Sequence, residues 1–258
     1  MDSTLDYLVN TLNQYWQLEQ SDMTQFSNPL TRWNERFSTE SYLFGENPNR
    51  YLAEKIPLLH KGKALSIADG EGRNSVWLAS QGFEVDDFDF SPVAIEKAKK
   101  LATKQQVNVN FHCSDWQSFD WKANHYDTIA GIFFQFADPE ARTELFQKLN
   151  FALKPGGTLI IQGYDKEQMQ YKTGGPGILE NLYDEELLLS AFKGYKILDL
   201  QTYLQEVDEG PGHSGMSALV GFIGVKPWKT LDMVIWTVQT VNDVSSMYLS
   251  LLVGPPGL

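Results

Sequence analysis

Two rhythms of apolar and polar positions follow one another along this chain, and their order predicts its architecture. Residues 64–68 are a short apolar run broken only by Ser66, which suits a strand covered on both faces of a parallel sheet. A helix is predicted over 74–81, a second strand over 84–88, and a further helix from Ser91-Pro92 to Lys104, with serine as cap and proline at the first helical position. Val107, Val109 and Phe111 alternate with polar residues as a third strand, and 126–136 is a fourth strand that runs into Phe133, Phe134 and Phe136. Then come a helix over 139–153, a turn at Lys154-Pro-Gly-Gly157, a fifth strand over 158–163, a helix over 182–192 and two strands over 195–203 and 217–225. Strands and helices in alternation predict an α/β fold, a mostly parallel sheet with helices on both faces.

The flanks read differently. Leu5, Leu8, Leu12 and Trp16 recur at helical spacing behind a Ser3 cap, so 1–32 is taken as an N-terminal helical extension. Trp33, Phe37, Tyr42 and Phe44 make an aromatic-rich lead-in to the first strand, followed by a helix over 51–59, and 33–227 is taken as the main domain. Beyond Pro227, apolar residues from Leu231 to Leu252 fit one helical stripe, but Asp232, Gln239, Asn242 and Asp243 interrupt any membrane span. For this 228–258 extension, packing and self-association are both open.

The chemistry gathers at Asp69-Gly-Glu-Gly72, between the first strand and its helix. Two glycines one apart allow a sharp bend and leave bare backbone toward a ligand, with Asn74 or Ser75 expected to cap the helix. A dinucleotide site calls for a third glycine where this chain has Ser75. A P-loop calls for a lysine and a hydroxyl residue where it has Arg73-Asn74. Asp69 and Glu71 would repel phosphate and favour a ligand with an ammonium or sulfonium group, and S-adenosylmethionine carries both. Asp89 falls 17 residues past Gly72, at the end of the second strand, where an acid accepts the hydroxyls of an adenosine ribose. An NAD-dependent oxidoreductase is the alternative enzyme, with the missing third glycine against it.

Leu65-Ser-Ile-Ala-Asp-Gly-Glu-Gly-Arg-Asn74, Asp89-Phe-Ser-Pro92 and Leu153-Lys-Pro-Gly-Gly157 together resemble a class I S-adenosylmethionine-dependent methyltransferase. Trp33-Asn-Glu-Arg-Phe37, Phe44-Gly45, Pro48-Asn49, Thr173-Gly-Gly-Pro176 and Glu209-Gly210 with His213 resemble its tellurite-resistance and thiopurine methyltransferase branch. The resemblance implies a Rossmann-like, seven-stranded sheet with an antiparallel last hairpin and S-adenosylmethionine as cofactor. It also implies a small acceptor, such as a thiol or a chalcogen oxyanion. The cofactor residues it implies are Ala68, Asp69, Gly70, Gly72, Asn74, Asp89, Phe90 and Ser91, with Asp115 and Trp116 at the adenine and Ile132 and Phe133 at the end of the fourth strand. The aromatic lead-in would fold across the cofactor. Two positions depart from the pattern: Ala68 replaces the first glycine of the turn, a mild change provided no positive φ is needed there, and Ser66 stands where many members have an acid. A methyltransferase-like binding protein without turnover is a further alternative.

Composition narrows the partners. Among 258 residues, 21 Lys and Arg face 33 Asp and Glu, for a formal charge of −12. Nucleic acid and anionic membranes reward basic patches, so neither is an expected partner. Cys113 is the sole cysteine, so no intrachain disulfide can form, and the start lacks a basic segment followed by an apolar one; a cytoplasmic address is expected. His60, His112, His125 and His213 have no metal-ligand spacing, and no metal is expected. His213 is the candidate general base for a hydroxyl or amine acceptor, and Arg36 could steady an oxyanion.

Overall fold

The computed structural model describes residues 28–171, 173–210 and 213–228. The predicted N-terminal helix and the apolar stripe beyond Trp228 lie outside the described residues. Seven strands form one sheet: β1 (Lys63–Ile67), β2 (Glu84–Asp89), β3 (Asn110–Cys113), β4 (Tyr126–Ile132), β5 (Leu153–Tyr164), β6 (Lys196–Asp208) and β7 (Ser214–Val225). The order is β3-β2-β1-β4-β5-β7-β6, parallel except for β7, which runs antiparallel to both its neighbours. This is the expected seven-stranded, mostly parallel sheet with an antiparallel last hairpin. Strand order reverses between β1 and β4, which opens a crevice at their carboxyl ends. The tip joining β6 to β7 comes to that same end, because β6 shares the direction of β5.

The helices are α1 (Pro29–Phe37), α2 (Arg50–Lys55), α3 (Arg73–Ser80), α4 (Pro92–Gln105), α5 (Pro139–Ala152) and α6 (Glu185–Ala191). The boundary drawn at residue 33 falls within α1. Alternation along the strands sorts the core into two faces. Leu65, Ile67, Ile129 and Ile161 pack with Leu145 of α5 and Leu188 of α6, while Ala64, Val85, Ala130 and Ile160 pack with Leu52 of α2 and Leu78 of α3. Each fully buried leucine or isoleucine contributes about 1.5–3 kcal/mol. Ser66 and Asp87, paired across β1 and β2, fall on the α3 face, two residues along from Ala64 and Val85.

Several boundaries differ from the pattern in the sequence. β4 stops at Ile132 because Phe133 adopts a left-handed φ of 54°, which turns the chain out of the sheet. β3 starts only at Asn110, since Gln106 ends α4 in a left-handed cap and the Val107 amide returns to the Ala102 carbonyl. β5 takes in the Lys154-Pro-Gly-Gly157 segment, with Gly156 and Gly157 bonded to the Lys226 backbone. β6 and β7 run to Asp208 and from Ser214, longer than the strands predicted over 195–203 and 217–225. α6 waits for its Asp184 cap, whose carboxylate accepts from the Leu187 amide. No helix among the described residues is long and apolar enough to cross a membrane.

Candidate active site

At the end of β1 the chain turns through three left-handed residues, Ala68 (φ 48°), Gly70 (φ 61°) and Gly72 (φ 84°). Ala68 therefore does occupy a backbone conformation that glycine would adopt without strain, a correction to the mild reading of that position. A Cβ on Gly72 would lie 2.6 Å from the Ala98 Cβ, so glycine here lets the start of α3 meet α4. The caps also differ from expectation. Asn74 and Ser75 lie inside the first turn of α3, and Asp69 serves it from outside, accepting from the Ser75 amide (2.8 Å) and Asn74 Nδ2 (2.7 Å). Glu71 is buried in an ion pair with Lys97 and accepts from the Leu43 amide at 2.7 Å. The acidic pair of the turn is thus engaged inward, rather than left free to face a ligand.

Asp89 stands at the tip of β2 and is 4% exposed. Its Oδ2 accepts from the Gly70 amide at 3.0 Å and its Oδ1 from the Ser91 amide at 2.8 Å. Burial outweighs these donors and pushes the carboxyl up to about 6. Phe90 is half-buried beside it, and Ser91 caps α4 through the Ala94 amide while donating to Asn34 Oδ1 at 2.6 Å. One strand over, Asp115 is exposed beyond β3 and closes a turn by accepting from the Gln117 and Ser118 amides. Trp116 is half-buried against the core. Ile132 and Phe133 end β4 on the far side of the crevice, and the Phe133 amide is held by the Gln162 carbonyl at 2.8 Å. The left-handed pair Ala68 and Phe133 thus leaves adjacent strands on either side of the switch point, and strain of this kind collects at functional sites.

A cover lies over the turn. Phe37 of α1 is buried, and its ring comes within 3.2 Å of where a Gly70 Cβ would stand. Lys97 pins the segment after α1, donating to the Thr39 (2.9 Å) and Ser41 (2.8 Å) carbonyls and approaching that of Phe37. Trp33 stacks on Phe37 with centroids 5.2 Å apart, and the Arg36 guanidinium lies 4.6 Å from the Trp33 ring. Burial, and then Arg32, lower the Arg36 pKa.

His213 completes the crevice from the hairpin tip. Its ring is 4.4 Å from both Phe44 and Phe133, tilted against the first and edge-on to the second, and 5.8 Å from Tyr164. Glu209 Oε2 lies 4.0 Å from His213 Nδ1 and 2.7 Å from the buried Arg73. Burial alone would raise the Glu209 pKa, but the Arg73 guanidinium and the Arg50 amide, which donates to Oε1 at 3.1 Å, bring it down to about 2. Burial lowers the His213 pKa, so the ring is neutral at pH 7. Asn49 ties these parts together: its amide nitrogen donates to Asn74 Oδ1 (2.9 Å), and its side chain to Gln162 Oε1 (2.6 Å) and Glu209 Oε1 (3.1 Å). Arg73, Lys97 and Tyr164 carried no signal as site residues in the sequence, since their partners are remote along the chain. The crevice thus joins the turn after β1, an acid at the tip of β2 and an aromatic chamber that holds a neutral imidazole.

The sequence matches the methyltransferase domain family over residues 64–157. It is 28% identical over 159 residues to the ubiquinone biosynthesis O-methyltransferase of Coxiella burnetii, covering 60% of this chain and 66% of that protein, just under two thirds. It is 30% identical over 167 residues to probable thiol methyltransferase 2 of Arabidopsis thaliana, covering 62% of this chain and 69% of the relative. The chain belongs to the S-adenosylmethionine-dependent methyltransferases. The structure of TehB from Haemophilus influenzae shares the fold, with a TM-score of 0.57 at 17% identity over 76% of this chain and 66% of TehB. In this methyltransferase the residues present suit the family cofactor: a glycine turn under the Phe37 cover, an acid at the tip of β2, and behind the turn the buried Asp87 carboxylate, whose two oxygens have no donor. Among the described residues no group of side chains could hold a metal ion.

Proposed function

We propose that this methyltransferase transfers a methyl group from S-adenosylmethionine to a small acceptor through a thiol or other chalcogen nucleophile. The observation that carries the reading is His213, a neutral imidazole between Phe44 and Phe133 with the Glu209 carboxylate on its Nδ1 side. Aromatic walls favour a polarisable sulfur, each contact contributing about 0.3–1.5 kcal/mol. A thiol is mostly protonated at pH 7, so a neutral base beside it is useful.

In this reading Ala68, Asp69, Gly70, Gly72 and Asn74 shape the bed of the cofactor, Asp89, Phe90 and Ser91 hold its ribose, and Asp115 and Trp116 meet its adenine. Ile132 and Phe133 border its methionine end. When bound, S-adenosylmethionine supplies an electrophilic methyl group. The chain supplies position and proton handling. Phe44, Phe133 and Tyr164 hold the acceptor and exclude water, which in-line transfer requires. His213 takes the acceptor proton, and the Glu209 carboxylate, 4.0 Å from its Nδ1, steadies the imidazolium that forms. Arg73 holds Glu209 ionised, and Arg36 borders the acceptor entrance. Residues 33–227 form the catalytic unit, the apolar stripe in the 228–258 sequence supports a role in self-association, and the net charge and lone Cys113 support a cytoplasmic enzyme with no nucleic-acid partner.

The test is radiolabelled methyl transfer to a panel of small thiols, selenium and tellurium oxyanions, and phenols. Transfer to thiols is the expected result; transfer only to phenols would reassign the acceptor. Binding of S-adenosylhomocysteine with no transfer to any acceptor would leave a binding protein, and binding of NAD instead would overturn the reading.

A further inference from the structure

Asp87 is fully buried on the α3 face of β2. Neither of its carboxylate oxygens has a hydrogen-bond donor. Its paired neighbour on β1 is Ser66, and it faces the Asp69 carboxylate and the Ser75 hydroxyl. That hydroxyl is turned to the Gly72 carbonyl, 3.2 Å away. Two acceptor-only groups therefore face each other, Asp87 fully buried and Asp69 half-buried at the turn. A buried carboxylate without a donor is strongly disfavoured, and two carboxylates sharing a site cannot both ionise cheaply. A proton between them removes both problems, because it gives Asp87 a donor and Asp69 one more hydrogen bond.

The surroundings decide which acid carries it. Asp69 already accepts from Asn74 Nδ2 and the Ser75 amide and lies within the field of Arg73, so it is the better anion. Among the described residues, the charged groups that act on Asp87 are Asp69 from the turn and Asp89 from its own strand, both acids, and its neighbours on β1 and α3 are Ser66 and Ser75. Burial, Asp69 and Asp89 all hold its carboxyl well above the usual range.

We propose that Asp87 is a binding residue for the cationic part of the cofactor, carrying a proton bonded to Asp69 in the ligand-free chain and releasing it to water when that cation arrives at the turn. This rests on the cofactor reading above and adds a carboxylate to it from the second strand. The ligand ammonium takes the place of the proton as counter-charge to the pair. Cofactor affinity then strengthens with pH, by up to about tenfold per unit while the pair titrates.

Titration calorimetry of the full chain with S-adenosylhomocysteine, in buffers of different ionisation heat from pH 6.5 to 8.5, counts the protons released. Above pH 7 Asp89, at about 6, is largely ionised and contributes little. The wild type is expected to release a fraction of a proton that Asp87→Asn, which keeps the shape and donates an amide hydrogen to Asp69, does not release. On the wild type alone, ligand-induced difference infrared spectra should show loss of a protonated-carboxyl band, which keeps the proposal testable if the variant fails to fold. Binding without proton release and without that band overturns the proposal and leaves the cofactor reading standing. Equal release by Asp87→Asn overturns the assignment to Asp87, and failure of S-adenosylhomocysteine to bind at all overturns both.

Discussion

The Arg73 guanidinium, at the first position of α3, lies 2.7 Å from Glu209 Oε2 at the hairpin tip, with both side chains largely buried. This ion pair joins the glycine turn to the strand connection that presents His213, so the two halves of the crevice share one electrostatic contact. Glu209→Gln would leave the Arg73 charge buried without its partner. A loss of roughly 3–5 kcal/mol is expected, read as a lower urea midpoint. The Glu209 pKa is depressed to about 2, so its stabilisation is complete above the unfolded glutamate value of about 4.3 and is lost as pH falls toward 2. Wild-type stability should therefore fall more steeply than that of Glu209→Gln between those values, and parallel acid curves would contradict the pairing.

His213→Gln retains a polar ring-sized group at the aromatic chamber but no base. Turnover is expected to fall roughly 100-fold or more, with S-adenosylhomocysteine affinity unchanged. The rate lost should return as pH rises and the acceptor ionises unaided. A variant with wild-type turnover over pH 6 to 9 would show that the acceptor arrives already ionised.

The seven strands of the mostly parallel sheet and the glycine turn after the first of them were legible because each rests on local pattern: apolar runs and a glycine pair. What failed locally was the reach of the strands, where a single left-handed residue such as Phe133 ends a strand whose apolar text continues. The acidic pair of the turn was also misread, because Glu71 is engaged by Lys97 and Leu43, far away in sequence. The aromatic chamber was only half legible. His213 and the phenylalanines stood out by type, whereas Arg73, Tyr164 and the Asn49 bridge acquire roles only when the fold brings separate strands and loops to one end. Asp87 carried no signal beyond being one acid in an acidic strand, and its meaning depends on burial without a donor.

Ala68 offers a test of the strain at the end of β1. A non-glycine residue in the left-handed region costs about 1–2 kcal/mol, while glycine costs about 0.4–1 kcal/mol through the freedom it adds to the unfolded chain. Ala68→Gly is therefore expected to stabilise the protein by about 0.5–1 kcal/mol and to shift its thermal midpoint upward. A destabilised variant would show that the Ala68 methyl group, which packs against the core, outweighs the backbone strain.

Asp89 separates binding from architecture. Its carboxylate holds the Gly70 and Ser91 amides, so its removal is felt in the unliganded protein as well. Asp89→Ala strands two buried donors, and a loss of about 1–3 kcal/mol for each is expected. Asp89→Asn is the gentler probe, because one amide oxygen can still accept. It should weaken S-adenosylhomocysteine binding about 10-fold or more, since hydrogen bonds to a charged group contribute roughly 1.5–3 kcal/mol. The wild-type pKa of about 6 lies above the unfolded aspartate value of about 3.9. Its ionisation therefore lowers stability as pH rises from 3.9 through 6. Opposite trends should appear in one protein over that range: falling thermal stability without ligand and rising affinity for S-adenosylhomocysteine, both less steep in Asp89→Asn, where the rise in affinity that remains is that of the Asp69–Asp87 pair. If affinity rises identically in the variant, another acid controls ligand entry and Asp89 does not grip the ribose.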